Sequence, residues 1–158
     1  DELVTCCMDY HNEYERKSIE KVLCAKNQNA IDENFALSKI ILDQLTQVNP
    51  GVLFDLEKYY PEAIAEFERY KQTKVAHWVS ENMKKGIEEG LFREDLNIPI
   101  ITALYLKRMS DFFSMSDYPE GATLEEIYME IFRYHIRGIA SEKGIEYLKI
   151  KIKEESKK

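Results

Sequence analysis

Apolar residues recur at helical spacing along almost the whole of this chain. Between Glu2 and Ala25, Leu3, Cys7, Tyr10 and Tyr14 form one stripe, flanked by Val4, Met8 and His11. Between Ile31 and Val48 the stripe is Ile31, Phe35, Leu42 and Leu45. From Pro61 to Glu89 it runs through Ile64, Phe67, Val75, Trp78, Val79 and Gly86. Residues three and four apart share a helix face, so this spacing predicts helices. Period-two alternation is confined to the short pattern Ile150-Lys151-Ile152. The expectation is an all-α fold.

The breaks between these stripes have the chemistry of helix ends. Asn27-Gln28-Asn29 is a polar gap, and Asn49-Pro50-Gly51 stops the second helix. A short helix is expected over Val52 to Tyr59, and Pro61 suits a first turn, where no amide donor is needed. Gly90 is placed to end the long helix, with Leu91 folding back over its last turn. Asn97 caps a helix to about Met115, Ser116 to Gly121 is a turn, and Thr123 with Glu126 forms a capping box for a helix to Ala140. A short final helix opens at Ser141-Glu142 and frays near Glu154.

Two of these helices carry more apolar surface than a one-sided helix needs. At about 100° per residue, the apolar positions of Thr123–Ala140 cover about 220°, and those of the preceding helix about 200°. Such a pair is either central to the domain or covered by a partner. In an all-helical domain of 158 residues, a symmetric dimer joined by a four-helix bundle accounts best for both helices. The candidate interface residues are Ile101, Leu104, Arg108, Phe112, Ile127, Ile131, Tyr134 and Ile136. Which face of each helix meets the partner stays open.

Charge excludes one role for these residues. With 29 acidic and 22 basic side chains the net charge is −7, and no Lys/Arg stripe exists to displace the counterions of a nucleic acid. No apolar run approaches the ~20 residues that cross a bilayer, so no membrane partner is expected. Three cysteines without a C-x-x-C pair argue against a disulfide framework or a zinc knuckle and for a cytoplasmic location.

Enzymatic and metal chemistry find little support. Glu-x-x-His pairs would build a di-metal bundle, but Met8, Lys74 and Phe132 precede His11, His77 and His135 by three. His77 and Glu81 are a surface pair, and Cys7 with His11 lacks an orienting group. No nucleotide-binding glycine pattern or nucleophile elbow occurs. No catalytic residue, metal or cofactor is therefore expected. Polar residues among apolar stripes are better candidates, because buried polar groups need partners, and these are either the backbone, water and one another in a closed core or a ligand. His11, Lys71 and Asn82, with the aromatic walls Tyr14, Phe35, Phe67, Trp78 and Tyr105, outline a mainly apolar pocket between the first, second, long and Ile98–Met115 helices.

Several segments resemble one family. Asp1-Glu2-Leu3 is similar to the end of the K-x-E-L segment that follows the helix-turn-helix of TetR/AcrR-type transcriptional regulators. Gly86-Ile87-Glu88-Glu89-Gly90-Leu91-Phe92-Arg93-Glu94-Asp95 resembles the family's turn before its first dimerisation helix. Arg137-Gly138-Ile139-Ala140 followed by Lys143-Gly144 resembles the end of the second. The resemblance implies one effector-binding and dimerisation domain over residues 1–158, of the TetR C-terminal type. Its first helix (1–26) would lead from a DNA-binding head encoded upstream, and its dimerisation helices would lie within 97–140. It also implies a homodimer, a small-molecule effector, and contact with operator DNA only through that head. A free-standing helical carrier or adaptor without a DNA role is the alternative.

Overall fold

A computed structural model of the chain describes residues 2–23, 25, 27–45, 58–111 and 118–155. The helices are α1 (Glu2–Leu23), α2 (Ala30–Leu45), α3 (Pro61–Tyr70), α4 (Ala76–Glu88), α5 (Ile98–Asp111), α6 (Leu124–Ile139) and α7 (Glu142–Glu155). A π-helical turn, Lys71–Val75, joins α3 to α4. Among the described residues there is no strand, and the one β-bridge pairs Phe92 with Ala140. No helix among them is long and apolar enough to cross a membrane. The expected end of the second helix, most of the 52–59 helix and Phe112 to Met115 lie outside the described residues.

The helix ends follow the predicted chemistry. Asn29 caps α2 by accepting from the Asp32 amide at 2.9 Å. At the end of α4, Gly90 takes φ 70°, and the Leu91 amide reaches back to the Gly86 carbonyl at 2.8 Å. Leu91 is thereby tucked in and buried. Thr123 and Glu126 close the expected capping box on α6. Their mutual bonds hold the Glu126 carboxyl below the usual carboxylate range, the Thr123 amide acting most.

One departure has a local cause. The long helix expected over Pro61–Glu89 is interrupted by the π turn, where the Thr73 hydroxyl donates to the Arg69 and Tyr70 carbonyls at 2.9 and 3.3 Å. A π turn re-aims everything beyond it, so one straight wheel cannot describe both halves. The last helix opens and ends where expected, and it docks onto α2. Leu148 is buried, the Tyr147 hydroxyl donates to Asp32 at 2.9 Å, and Lys151 pairs with Asp32 at 2.7 Å.

On α1 the packed face is not the one that carries Cys7, Tyr10 and Tyr14. These three point outward, with Tyr14 61% exposed. The packed face carries Val4, Ile19 and Val22 instead, and Ile19 is buried. Both faces are apolar, and only neighbouring helices decide between them; α1 packs against α2 and α3.

The core gathers Ile31 from α2, Met83 from α4, Leu91 and Phe92 from the turn, and Tyr128, Phe132, Ile136 and Ile139 from α6. Each such side chain contributes about 2 kcal/mol by leaving water. The α4–α5 turn is bolted to the α6–α7 turn. Arg93 N–H donates to the Ile139 carbonyl and Ser141 N–H to the Leu91 carbonyl, both at 2.9 Å. The Ser141 hydroxyl donates to Gly90 and accepts from Gly144, while Lys143 reaches the Glu89 carbonyl. Gly144 is required by this contact, because a Cβ there would overlap the Leu91 carbonyl oxygen.

Candidate functional site

Asn82 sits on the buried face of α4, 7% exposed, as the wheel predicts. Its two amide hydrogens go to the Ala30 carbonyl at 3.0 Å and the Glu33 carboxylate at 2.9 Å. Its oxygen accepts from the Asn34 amide. Glu33, itself buried, also pairs with Lys85, whose ammonium donates to the Gln28 carbonyl at 2.7 Å. Glu89 completes the cluster by accepting from the Ala30 amide at 2.8 Å. These contacts clasp the start of α2 to the second half of α4. Asn82 is thus a structural tie, with both donors engaged inside the chain and none left for a ligand.

The surroundings fit that reading. Beside the clasp lies an open depression of about 440 Å³, lined by Glu33, His77, Trp78, Glu81, Asn82 and Lys85. Trp78 stands edge-on to Tyr70, 6.1 Å between centroids, and His77 and Glu81 face solvent. Glu81 is held below the usual carboxylate range, chiefly by its hydrogen bond from Lys84. The sequence predicts an enclosed apolar pocket between four helices; among the described residues an open depression stands beside Trp78 and Asn82. Among the described residues no group of three or more potential ligands is poised for a metal ion.

Other expected pocket residues are dispersed. Tyr14 lies on the outer face of α1. Phe35 packs edge-on to Phe132 at 5.2 Å, on the α6 side of α2. Tyr105 faces α6, its ring 4.4 Å from that of His135. Burial there pushes His135 down to about 4 and Tyr105 up to about 12, and Tyr128 beside them is raised as well, again mainly by burial. The side chains of His11, Phe67 and Lys71 lie outside the described residues.

The expected interface residues divide sharply. Ile127, Ile131 and Ile136 belong to the chain's own core, and fully buried Ile136 has no surface to offer a partner. Ile101 is half-buried against the same core. Leu104 and Tyr134 are 60% and 77% exposed, and Ile100 joins them at 55%. Arg108 bridges the two helices, its guanidinium 5.9 Å from the centre of the Tyr134 ring. A groove of about 550 Å³ runs under this pair, floored by Ile127 and Ile131 and edged by Glu126 and Glu130. Gly138, one turn beyond Tyr134, adds a bare patch where a Cβ would meet nothing within 4 Å.

No family model, curated protein or solved structure matches this chain. The geometry therefore stands on its own. It presents an outward α5–α6 face with large apolar side chains, a cation stacked on a ring, and a glycine where another helix could approach. Sequence reasoning missed the clasp partners Glu33 and Lys85. A buried amide on α4 announces that partners exist, but their identity depends on which helix start lies opposite, and the wheel of α4 carries no such information.

Proposed function

We propose that this chain is the effector-binding and dimerisation domain of a TetR/AcrR-type transcriptional regulator, working as a homodimer joined through α5 and α6. The observation that carries the reading is the outward face of these helices, where Ile100, Leu104 and Tyr134 remain more than half exposed in the single chain. Exposed apolar side chains grouped on two adjacent helices favour a covered surface. A two-fold partner places the same face against itself, as an isologous helical bundle does. The contact between the α4–α5 and α6–α7 turns adds support. Those are the segments whose sequences resemble the family's, and they meet in space through Phe92 and Ala140. The negative net charge agrees with a domain that leaves DNA contact to a separate head.

In this mechanism a ligand that favours one arrangement of the two subunits shifts the spacing of the heads. DNA affinity then changes by the difference in ligand affinity between the arrangements. Light scattering at micromolar concentration tests the reading. The chain is expected to run as a dimer and Leu104→Glu as a folded monomer. A monomeric wild type removes the proposal. The residues encoded ahead of Asp1 provide a second check, since the reading requires a helix-turn-helix there.

A further inference from the structure

A second cleft opens on the other flank of α6, where α2 and α7 approach it. Its floor is Phe132, Ile136 and Leu148, all buried, and its walls are Phe35, Met129 and Ile152. Arg133 and Arg137 complete the lining, one helical turn apart. The volume is about 230 Å³. At about 30 Å³ for each water-sized group, this accommodates on the order of eight heavy atoms.

The two arginines differ. Arg133 is tied to Glu130 at 2.6 Å. Arg137 makes no hydrogen bond or ion pair among the described residues, and its side chain is exposed at the rim. On the neighbouring helices, Asp32 of α2 is engaged with Tyr147 and Lys151 of α7. An apolar slot with an unpaired guanidinium at its mouth has one charge preference. A neutral apolar molecule leaves Arg137 unused, and an amine is repelled by both arginines.

We propose that this cleft binds a small anionic amphiphile, namely a medium-chain carboxylate with its tail between Phe35, Met129 and Ile152 and its head on Arg137. The guanidinium suits a carboxylate because its planar fork donates two parallel hydrogen bonds. The cleft is distinct from the depression beside Trp78. The inference rests on the reading above only for its regulatory meaning, since binding itself needs no dimer.

The experiment is a titration with octanoate, followed by calorimetry and by methyl NMR of Met129, Ile136 and Ile152. Octylamine and octanol serve as matched probes. Octanoate is expected to bind with a Kd of about 0.1–1 mM, in line with the efficiency of small ligands, and to shift these methyl signals. Octylamine should leave them unmoved, and octanol should bind more weakly. Arg137→Gln, an exposed change, should keep the fold and weaken octanoate about tenfold or more. The Leu104→Glu variant should bind as the wild type does, which separates this test from that of the dimer. No binding at 10-fold above the expected range of about 1 mM overturns the proposal. So do equal shifts with octylamine, an unchanged Kd in Arg137→Gln, or methyl shifts that follow protein concentration alone, which would mean that a second copy fills the cleft.

Discussion

Asn82 shows how one buried amide can organise a helix pair. Its partners are a backbone carbonyl, a carboxylate and another amide, all from the first turns of α2. Removing it leaves the Ala30 carbonyl and the Glu33 carboxylate each short of a donor in a buried place. The Ala30 carbonyl keeps the Asn34 amide and the Glu33 carboxylate keeps Lys85, but each loses a donor that buried surroundings do not replace with water. Asn82→Ala is expected to lower stability by about 2–3 kcal/mol in urea unfolding. The neighbouring His77→Ala, on the solvated face, should change it by less than about 0.5 kcal/mol. Equal effects would mean that the clasp is not a stabilising feature. The importance of Asn82 was legible in its position on an apolar stripe, but its role was not. The stripe identifies a polar side chain that must find partners, whereas the choice between ligand and protein depends on the opposing chain. The same gap explains Tyr14, where two apolar faces of one helix compete and only the neighbours decide.

At the level of elements, the α5–α6 seam carries an unusual load, because His135 is packed against Tyr105 and kept neutral by burial. Folded, its pKa lies near 4; unfolded, it returns to the ordinary 6.5. The unfolded chain therefore binds the proton more readily throughout that window. Stability from this group is intact above pH 6.5, declines as pH falls, and is fully lost below about 4. The span corresponds to a loss on the order of 3 kcal/mol. Carboxylates such as Glu126 also lose their partners in acid, so the informative quantity is the difference between the wild type and His135→Phe. That difference should shift between pH 6.5 and 4 and be flat above 7, as measured by denaturant midpoints. A flat difference across the whole range would place His135 in contact with water. Element boundaries were largely legible, since caps and glycines act through residues close in sequence. The π turn was not, because a single wheel assumes that the ladder never changes its period.

For the whole molecule the outward face of α5 and α6 is the feature with the widest consequences. The net charge of −7 leads to the expectation that the chain alone retains no DNA in filter binding at physiological salt. Association of the chain with itself has a sharper test, built on Gly138. In the single chain a Cβ at that position touches nothing within 4 Å, so a larger side chain finds open space. Glycine also weakens a helix, and Gly138→Leu should stabilise an isolated chain by a few tenths of a kcal/mol to about 1 kcal/mol. Against a partner helix the same leucine would hold the two backbones apart. The two states therefore predict opposite signs for one substitution. If the native form is a dimer, its melting temperature rises with protein concentration, by linkage worth about 2.7 kcal/mol at a hundredfold excess over Kd. Gly138→Leu should abolish that dependence while melting no lower than the wild type in the most dilute samples. A standard interface of about 1,600 Å² would be lost with it. Were the variant more stable at every concentration, with the wild type showing no dependence at all, the face would be solvated and α5 and α6 would serve one chain only.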